Sequence, residues 1–138
     1  MENFVNIEFA SLSENEAFSR IAVAAFAAQL DPTLEELSDI KTAVSEAVTN
    51  SVVHGYGEND GIIFLRMHRK NNWLTFEIED RGRGIEDIAK ARQPLYTSAP
   101  GFERSGMGFT VMESFMDSLE VKSTPGEGTV VTMTKKIL

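Results

Sequence analysis

In the run Ser45-Glu-Ala-Val-Thr-Asn-Ser-Val-Val-His-Gly55, a carboxylate at Glu46 and a carboxamide at Asn50 stand four residues apart. Apolar residues Leu37, Ile40, Val44 and Val48 recur at helical spacing through the same stretch, and Thr33-Leu-Glu-Glu36 opens it with a capping box. The spacing predicts one long helix ending near His54-Gly55, with Glu46 and Asn50 on one of its faces. Side by side, the two groups suit a Mg²⁺-phosphate site. An amide oxygen can ligate the hard cation, and a carboxylate can take a proton from an attacking hydroxyl. The same pair also occurs on solvated helix faces, so its meaning depends on whether the chain supplies a nucleotide pocket.

The remaining elements follow from periodicity. Residues 3–10 alternate at Val5, Ile7 and Phe9 and predict a first strand. Ser13-Glu-Asn-Glu16 is a second capping box, opening a helix over about 14–30 through Phe18, Ile21, Ala22, Ala25, Phe26 and Leu30. Ile62 to Arg69 reads as a strand, Asn71-Asn72 as a tight turn and Trp73 to Asp80 as the return strand. In that strand Leu74, Phe76 and Ile78 share one face, and Asp80 continues their phase, where a carboxylate is costly without a partner. A short helix is expected over 86–92, and residues 93–106 carry prolines, glycines and no periodicity, as a lid or binding loop does. A helix over about 107–116, strand residues Leu119 and Val121, a turn at Pro125-Gly-Glu-Gly128 and a last strand to Lys136 complete the chain. The order β-α-α-β-β-α-β-β predicts an α+β two-layer sandwich with a mixed, largely antiparallel sheet. With 138 residues and 42% hydrophobic content, 1–138 is expected to be a single domain with its own core.

Several function classes drop out. The chain has no cysteine, which removes disulfides, thiolate metal sites and cysteine nucleophiles. His54 and His68 lack the spacing of a metal pair and read as structural. No serine sits in a Gly-x-Ser-x-Gly setting, and no Walker A sequence is present. The six methionines, Met107, Met112 and Met116 among them, read as core packing. A net charge of -8 speaks against direct nucleic-acid binding and for basic partners, although solubility alone accounts for it. Neither a signal peptide nor a bilayer-spanning apolar run is visible, which agrees with a cytoplasmic protein that does not engage membrane.

Three glycine motifs carry the remaining chemistry. Asp80-x-Gly82-x-Gly84 can hold an adenine, the carboxylate accepting from the exocyclic amine while the glycines let backbone approach the base; a capped turn explains it equally. Arg104-Ser-Gly-Met-Gly-Phe109 ends the irregular segment just before a helix, where free amides and the helix dipole attract phosphate and Arg104 adds charge. Gly126-Glu-Gly-Thr129 is a hairpin turn whose threonine can add a hydroxyl to a polar pocket.

Taken in order, Glu46-x-x-x-Asn50, Asp80-x-Gly82-x-Gly84, Arg104-Ser-Gly-Met-Gly108 and Gly128-Thr129 resemble the ATPase/kinase superfamily of gyrase, histidine kinases and MutL, whose ATP site is the Bergerat fold. Within it, Ser13-Glu-Asn-Glu16, Ser45-Glu-Ala-Val-Thr-Asn50, Ala91-Arg-Gln-Pro-Leu95 and Glu103-Arg-Ser-Gly-Met-Gly-Phe109 are similar to the bacterial anti-sigma serine kinases of sporulation. The resemblance implies ATP and Mg²⁺ as cofactors, Glu46 as general base toward a protein serine, and Asn50 as the Mg²⁺ ligand. It implies Asp80 on the adenine amine, Gly82, Gly84 and Thr129 around the base, and 93–108 as the ATP lid. Arg104, Ser105, Gly106 and Gly108 would lie near the phosphates. It further implies a homodimer that holds a sigma factor off RNA polymerase and phosphorylates an anti-anti-sigma protein. Arg20 would contact sigma, and Arg104 would serve partner switching. Ala99 stands where relatives often carry lysine. Three rival functions stand beside this reading. A histidine-kinase catalytic fragment would need an upstream acceptor histidine, which this sequence lacks. A sigma-binding module with a vestigial nucleotide site is at odds with an intact Glu46, Asn50 and Asp80. An ATPase without a protein substrate generally needs further transducer domains.

Overall fold

A computed structural model describes residues 2–93 and 108–138. Five strands form one sheet in the order β1-β2-β3-β5-β4: β1 (Glu2–Ala10), β2 (Ile62–Lys70), β3 (Trp73–Asp80), β4 (Ser118–Thr124) and β5 (Gly128–Lys136). Every pairing is antiparallel, so the expected mixed sheet resolves to its antiparallel form among the described residues. β2–β3 and β4–β5 are joined by hairpins, which antiparallel strands permit and parallel ones do not, whereas β1 reaches β2 through the helices between them. At Asn71 the backbone turns through φ 54°, a left-handed value that asparagine tolerates, and closes the predicted β2–β3 turn.

Helices α1 (Glu14–Ala27), α2 (Leu34–Asn50), α3 (Ile88–Ala91) and α4 (Gly108–Phe115) make up the second layer. The core lies between the layers. Ile40, Ala43, Val44, Ala47 and Val48 of α2 are buried with Ile63, Leu65, Leu74, Phe76 and Ile78 of the sheet. Met67, Met112, Met116 and Met133 are buried too, as core methionines were expected to be, while Met107 lies outside the described residues. No helix among the described residues is long and apolar enough to cross a membrane.

Two sequence expectations at α1 fail. Ser13 adopts a helical backbone (φ -58°, ψ -29°) and its side chain makes no capping bond. Glu16, the other half of the expected box, turns instead to the Ser45 hydroxyl of α2 and to Arg20 one turn along α1. The buried face of α1 is Ser19, Val23, Phe26 and Ala27, whereas Phe18 and Ile21 face outward. Periodicity found the helix but set its inner face one step off, because β1 and α2 cover the Val23 side. The helix also tightens into a 3-10 turn over Ala28–Leu30 before Asp31.

Candidate active site

α2 does not stop at Asn50. It widens into a π-helical segment over Ser51–Tyr56, a rare form that concentrates at functional sites. This wider turn brings the Gly55 backbone under the end of β3. A side chain on Gly55 would fall 2.9 Å from the Asp80 carboxylate, and one on Gly82 would fall 2.2 Å from the Gly55 carbonyl oxygen. The Arg83 amide donates to that same Gly55 carbonyl at 3.0 Å. Glycine at 82 therefore follows from close approach of two backbones, and glycine at 55 from its contact with the Asp80 carboxylate.

Asp80 is 4% exposed and continues the apolar phase of β3, as its sequence position predicts. Ser51 Oγ donates to Oδ2 at 2.9 Å and the Gly82 amide donates to Oδ1 at 3.0 Å. Burial pushes the Asp80 carboxyl up from its ordinary value; the bonds from Gly82, Ser51 and the Thr129 backbone oppose that shift without cancelling it. Thr129 is itself buried, and its hydroxyl meets Ser123 Oγ at 2.8 Å. Ser123 Oγ also accepts from the Ile85 amide at 2.7 Å, tying the segment after Gly84 to β4. Gly84 takes φ +75°, and any side chain there would strike the Thr124 carbonyl at 2.3 Å.

These elements enclose a cleft of about 670 Å³, in the range of small-molecule sites. Asn50, Asp80, Gly84, Gly108 and Thr129 all line it. Gly82 packs behind the lining against Gly55. Glu46 and Asn50 converge on Gly108 at the start of α4: a side chain there would fall 3.3 Å from Glu46 Oε2 and 3.2 Å from Asn50 Nδ2. Residues from α2, from the end of β3, from β5 and from α4 thus meet at one cleft, though they are scattered over some eighty positions of sequence. Arg20 lies apart on α1, its side chain half exposed. Arg104, Ser105, Gly106 and all of the lid between 94 and 107 lie outside the described residues.

Sequence reasoning missed four contributors: Ser51, Gly55, Tyr56 and Ser123. One signal for Ser51 was present. A carboxylate on a core phase needs a donor, and Ser51 is the hydroxyl next to Asn50 on the helix that must face it. Arg83 and Lys90 also line the cleft and were not foreseen.

Comparison with known proteins places the family and the fold. The histidine kinase-like ATPase domain matches residues 9–135. An anti-sigma F factor of Clostridium botulinum (strain Alaska E43 / Type E3) is 62% identical, over 98% of this chain and 95% of the relative. One from Thermoanaerobacter sp. (strain X514) is 60% identical over 98% and 94% respectively. A crystal structure of the RsbU and RsbW domains of a Mycobacterium tuberculosis protein superposes with a TM-score of 0.72 at 18% identity, over 98% of this chain and 32% of that one, and supports the fold alone. With matches to those relatives over 98% of its length and to the domain over residues 9–135, the chain belongs to the anti-sigma F factor family of histidine kinase-like ATPases.

Proposed function

We propose that this protein is an ATP-dependent anti-sigma factor that holds a sporulation sigma factor and transfers the terminal phosphate of ATP to a serine of an anti-anti-sigma protein. The meeting of Glu46 and Asn50 at Gly108, beside the cleft that Asp80 closes, carries the reading. The cleft fits a nucleotide. Its buried carboxylate offers an acceptor to an exocyclic amine, and Gly84 and Thr129 line the cleft beside it.

The donor set also fits Mg²⁺ held mainly by phosphate oxygens. No group of three or more acidic or histidine side chains stands ready to cage a metal among the described residues, and Asn50 supplies one amide oxygen. When bound, Mg²⁺ would offset charge on the phosphates. Glu46 would accept the serine proton as the hydroxyl attacks, on the same helix face as Asn50. The amide end of α4, beginning at Gly108, would favour the anionic phosphates. Gly106, Ser105 and Arg104 would join it from the lid. Arg20, exposed on α1, would meet sigma, and Arg104 would meet either partner. The protein would act as a homodimer in the cytoplasm, where sigma factors work.

The test is incubation with labelled ATP, Mg²⁺ and candidate anti-anti-sigma proteins, followed by mapping of phosphoserine. Glu46→Ala should lower transfer by roughly a hundredfold or more, the usual worth of a general base, while ATP still binds. Label reaching the partner at the normal rate in that variant would remove Glu46 from the role. A phosphohistidine product would favour the histidine-kinase reading instead.

A further inference from the structure

β2 and β3 pair in unbroken register from Lys70–Trp73 to Phe64–Glu79. The same register would set Ile63 against Asp80 and Ile62 against Arg81, but the ladder stops short of both. Neither strand ends there. β2 keeps to β1 through Ala10–Ile62, and β3 keeps to β5 through Asp80–Thr129. The two strands part only from each other, at the end that carries Asp80.

The Tyr56 hydroxyl occupies the parting. It donates to the Ile62 carbonyl at 2.6 Å and accepts from the Arg81 amide at 2.7 Å. Those groups belong to the two residues that the skipped rung would have set face to face, so one hydroxyl stands in for a direct contact between the strands. Its placement is built from both sides. The π-helical segment ends at Tyr56, and Gly57 then reverses the chain at φ +61°. The ring lies against Gly61, where any side chain would fall 2.3 Å from a ring carbon. Just beyond Arg81, Gly82 and the Arg83 amide rest on Gly55, the residue before Tyr56.

We propose that Tyr56 is a positioning residue for nucleotide recognition, its hydroxyl wedging β3 away from β2 so that Asp80 and the turn after it seat on Gly55. Tyr56 touches no substrate in this scheme; it sets the direction of the carboxylate that does. The inference rests on the reading of Asp80 as the group that meets the adenine amine. Without the hydroxyl, the Arg81 amide either moves toward Ile62 or loses its partner, and each outcome shifts Asp80 one residue away.

The experiment compares two nucleotides, ATP and purine riboside triphosphate, which lacks the exocyclic amine, on the full chain. Tyr56→Phe keeps the ring against Gly61 and removes only the hydroxyl. ATP binding should weaken about five- to tenfold, the scale of one lost hydrogen bond, while the amine-free analogue changes by less than about twofold. A ratio of two affinities does not depend on the fraction of protein that folds. Unchanged ATP affinity, or equal weakening of both nucleotides, overturns the inference. Asp80→Ala, which removes the acceptor, serves as the second arm and should erase the preference for ATP. If it does so and Tyr56→Phe leaves the preference intact, the Tyr56 inference alone fails. If Asp80→Ala keeps the preference, Asp80 does not read the amine, and both readings fall.

Discussion

The two ends of α2 meet the same problem by opposite means. Any helix terminus leaves backbone groups without intrahelical partners. At the start of α2 the answer is local: Thr33 Oγ1 accepts from the Glu36 amide at 3.0 Å, and Glu36 Oε1 accepts from the Thr33 amide at 2.9 Å. At the far end the answer is tertiary. The helix widens, and Ser51, Gly55 and Tyr56 bond to Asp80, Arg83, Ile62 and Arg81 on other elements. One end makes the helix more stable; the other uses the helix to aim a strand and its turn. What separates stability from function here is the distance in sequence between the bonded groups.

If that contrast is right, a single methyl group at the tertiary end should do the most damage. Gly82→Ala places Cβ 2.2 Å from the Gly55 carbonyl oxygen, and both neighbours are backbone that cannot swing aside. Overpacking of this kind costs typically about 1–3 kcal/mol, and the upper part of that range is expected here. ATP binding should fail with it, since the turn after Asp80 must lift off the π-helical segment. Thermal melting and an ATP titration check the two halves of the claim. A variant that melts and binds as the parent does would break the contrast.

Asp80→Asn should separate function from stability at the same end. Exchanging a charged acceptor for a neutral amide oxygen should weaken ATP binding by about 1 kcal/mol, the difference between a charged and a neutral hydrogen bond. The nucleotide-free variant should nevertheless melt at an equal or higher temperature. A group whose folded pKa is raised, as burial raises Asp80, favours the folded state fully only below its unfolded pKa; that contribution is lost as pH rises through the folded value. At neutral pH the parent therefore bears the cost of a buried charge, and asparagine removes it. The advantage should shrink as pH falls through the raised pKa of Asp80. Melting curves at neutral and mildly acidic pH decide it, and a lower melting temperature at neutral pH would show that the bonds from Ser51, Gly82 and Thr129 outweigh the burial.

Which parts of this arrangement the sequence disclosed follows the same divide. The Thr33–Glu36 box, the Asn71 turn and the inward phase of Asp80 were all legible, because each depends on residues within a few positions of one another. Ser13 misled for an instructive reason: its motif follows the same Ser/Thr-x-x-Glu pattern as that at Thr33, but Glu16 bonds instead to Ser45, 29 residues away. The widening of α2 at Ser51 had no letter pattern at all. It goes with the close seat of Gly55 against Asp80 and Gly82, which exists only once the sheet has formed. Glu46 and Asn50 were found by spacing, yet their meeting at Gly108 needed α4 to pack on α2. The lid expected over 93–108 falls almost wholly outside the described residues, so its part in the site stays with the proposal.

The smallest effect belongs to the local end and completes the contrast. Thr33→Ala removes the hydroxyl that accepts from the Glu36 amide, at a cost of about 1 kcal/mol. It should leave ATP affinity and the preference for the adenine amine as they are, because among the described residues no side chain lining the cleft bonds to Thr33 or Glu36. The other half of the box survives in the variant, since the backbone amide at position 33 still donates to the Glu36 carboxylate. That half carries its own pH signature. The Thr33 amide, and after it the Leu138 amide, hold the Glu36 carboxyl below its ordinary value. A depressed carboxylate contributes stability above its unfolded pKa, which is lost as pH falls through the folded one. Thr33→Ala should therefore melt lower than the parent at neutral pH and keep losing stability on acidification, as the parent does. Glu36→Gln, which cannot titrate, should lose less across that window. A change in ATP affinity in either variant would mean that the two ends of α2 are coupled through the helix, and that its stable end also holds the functional one in place.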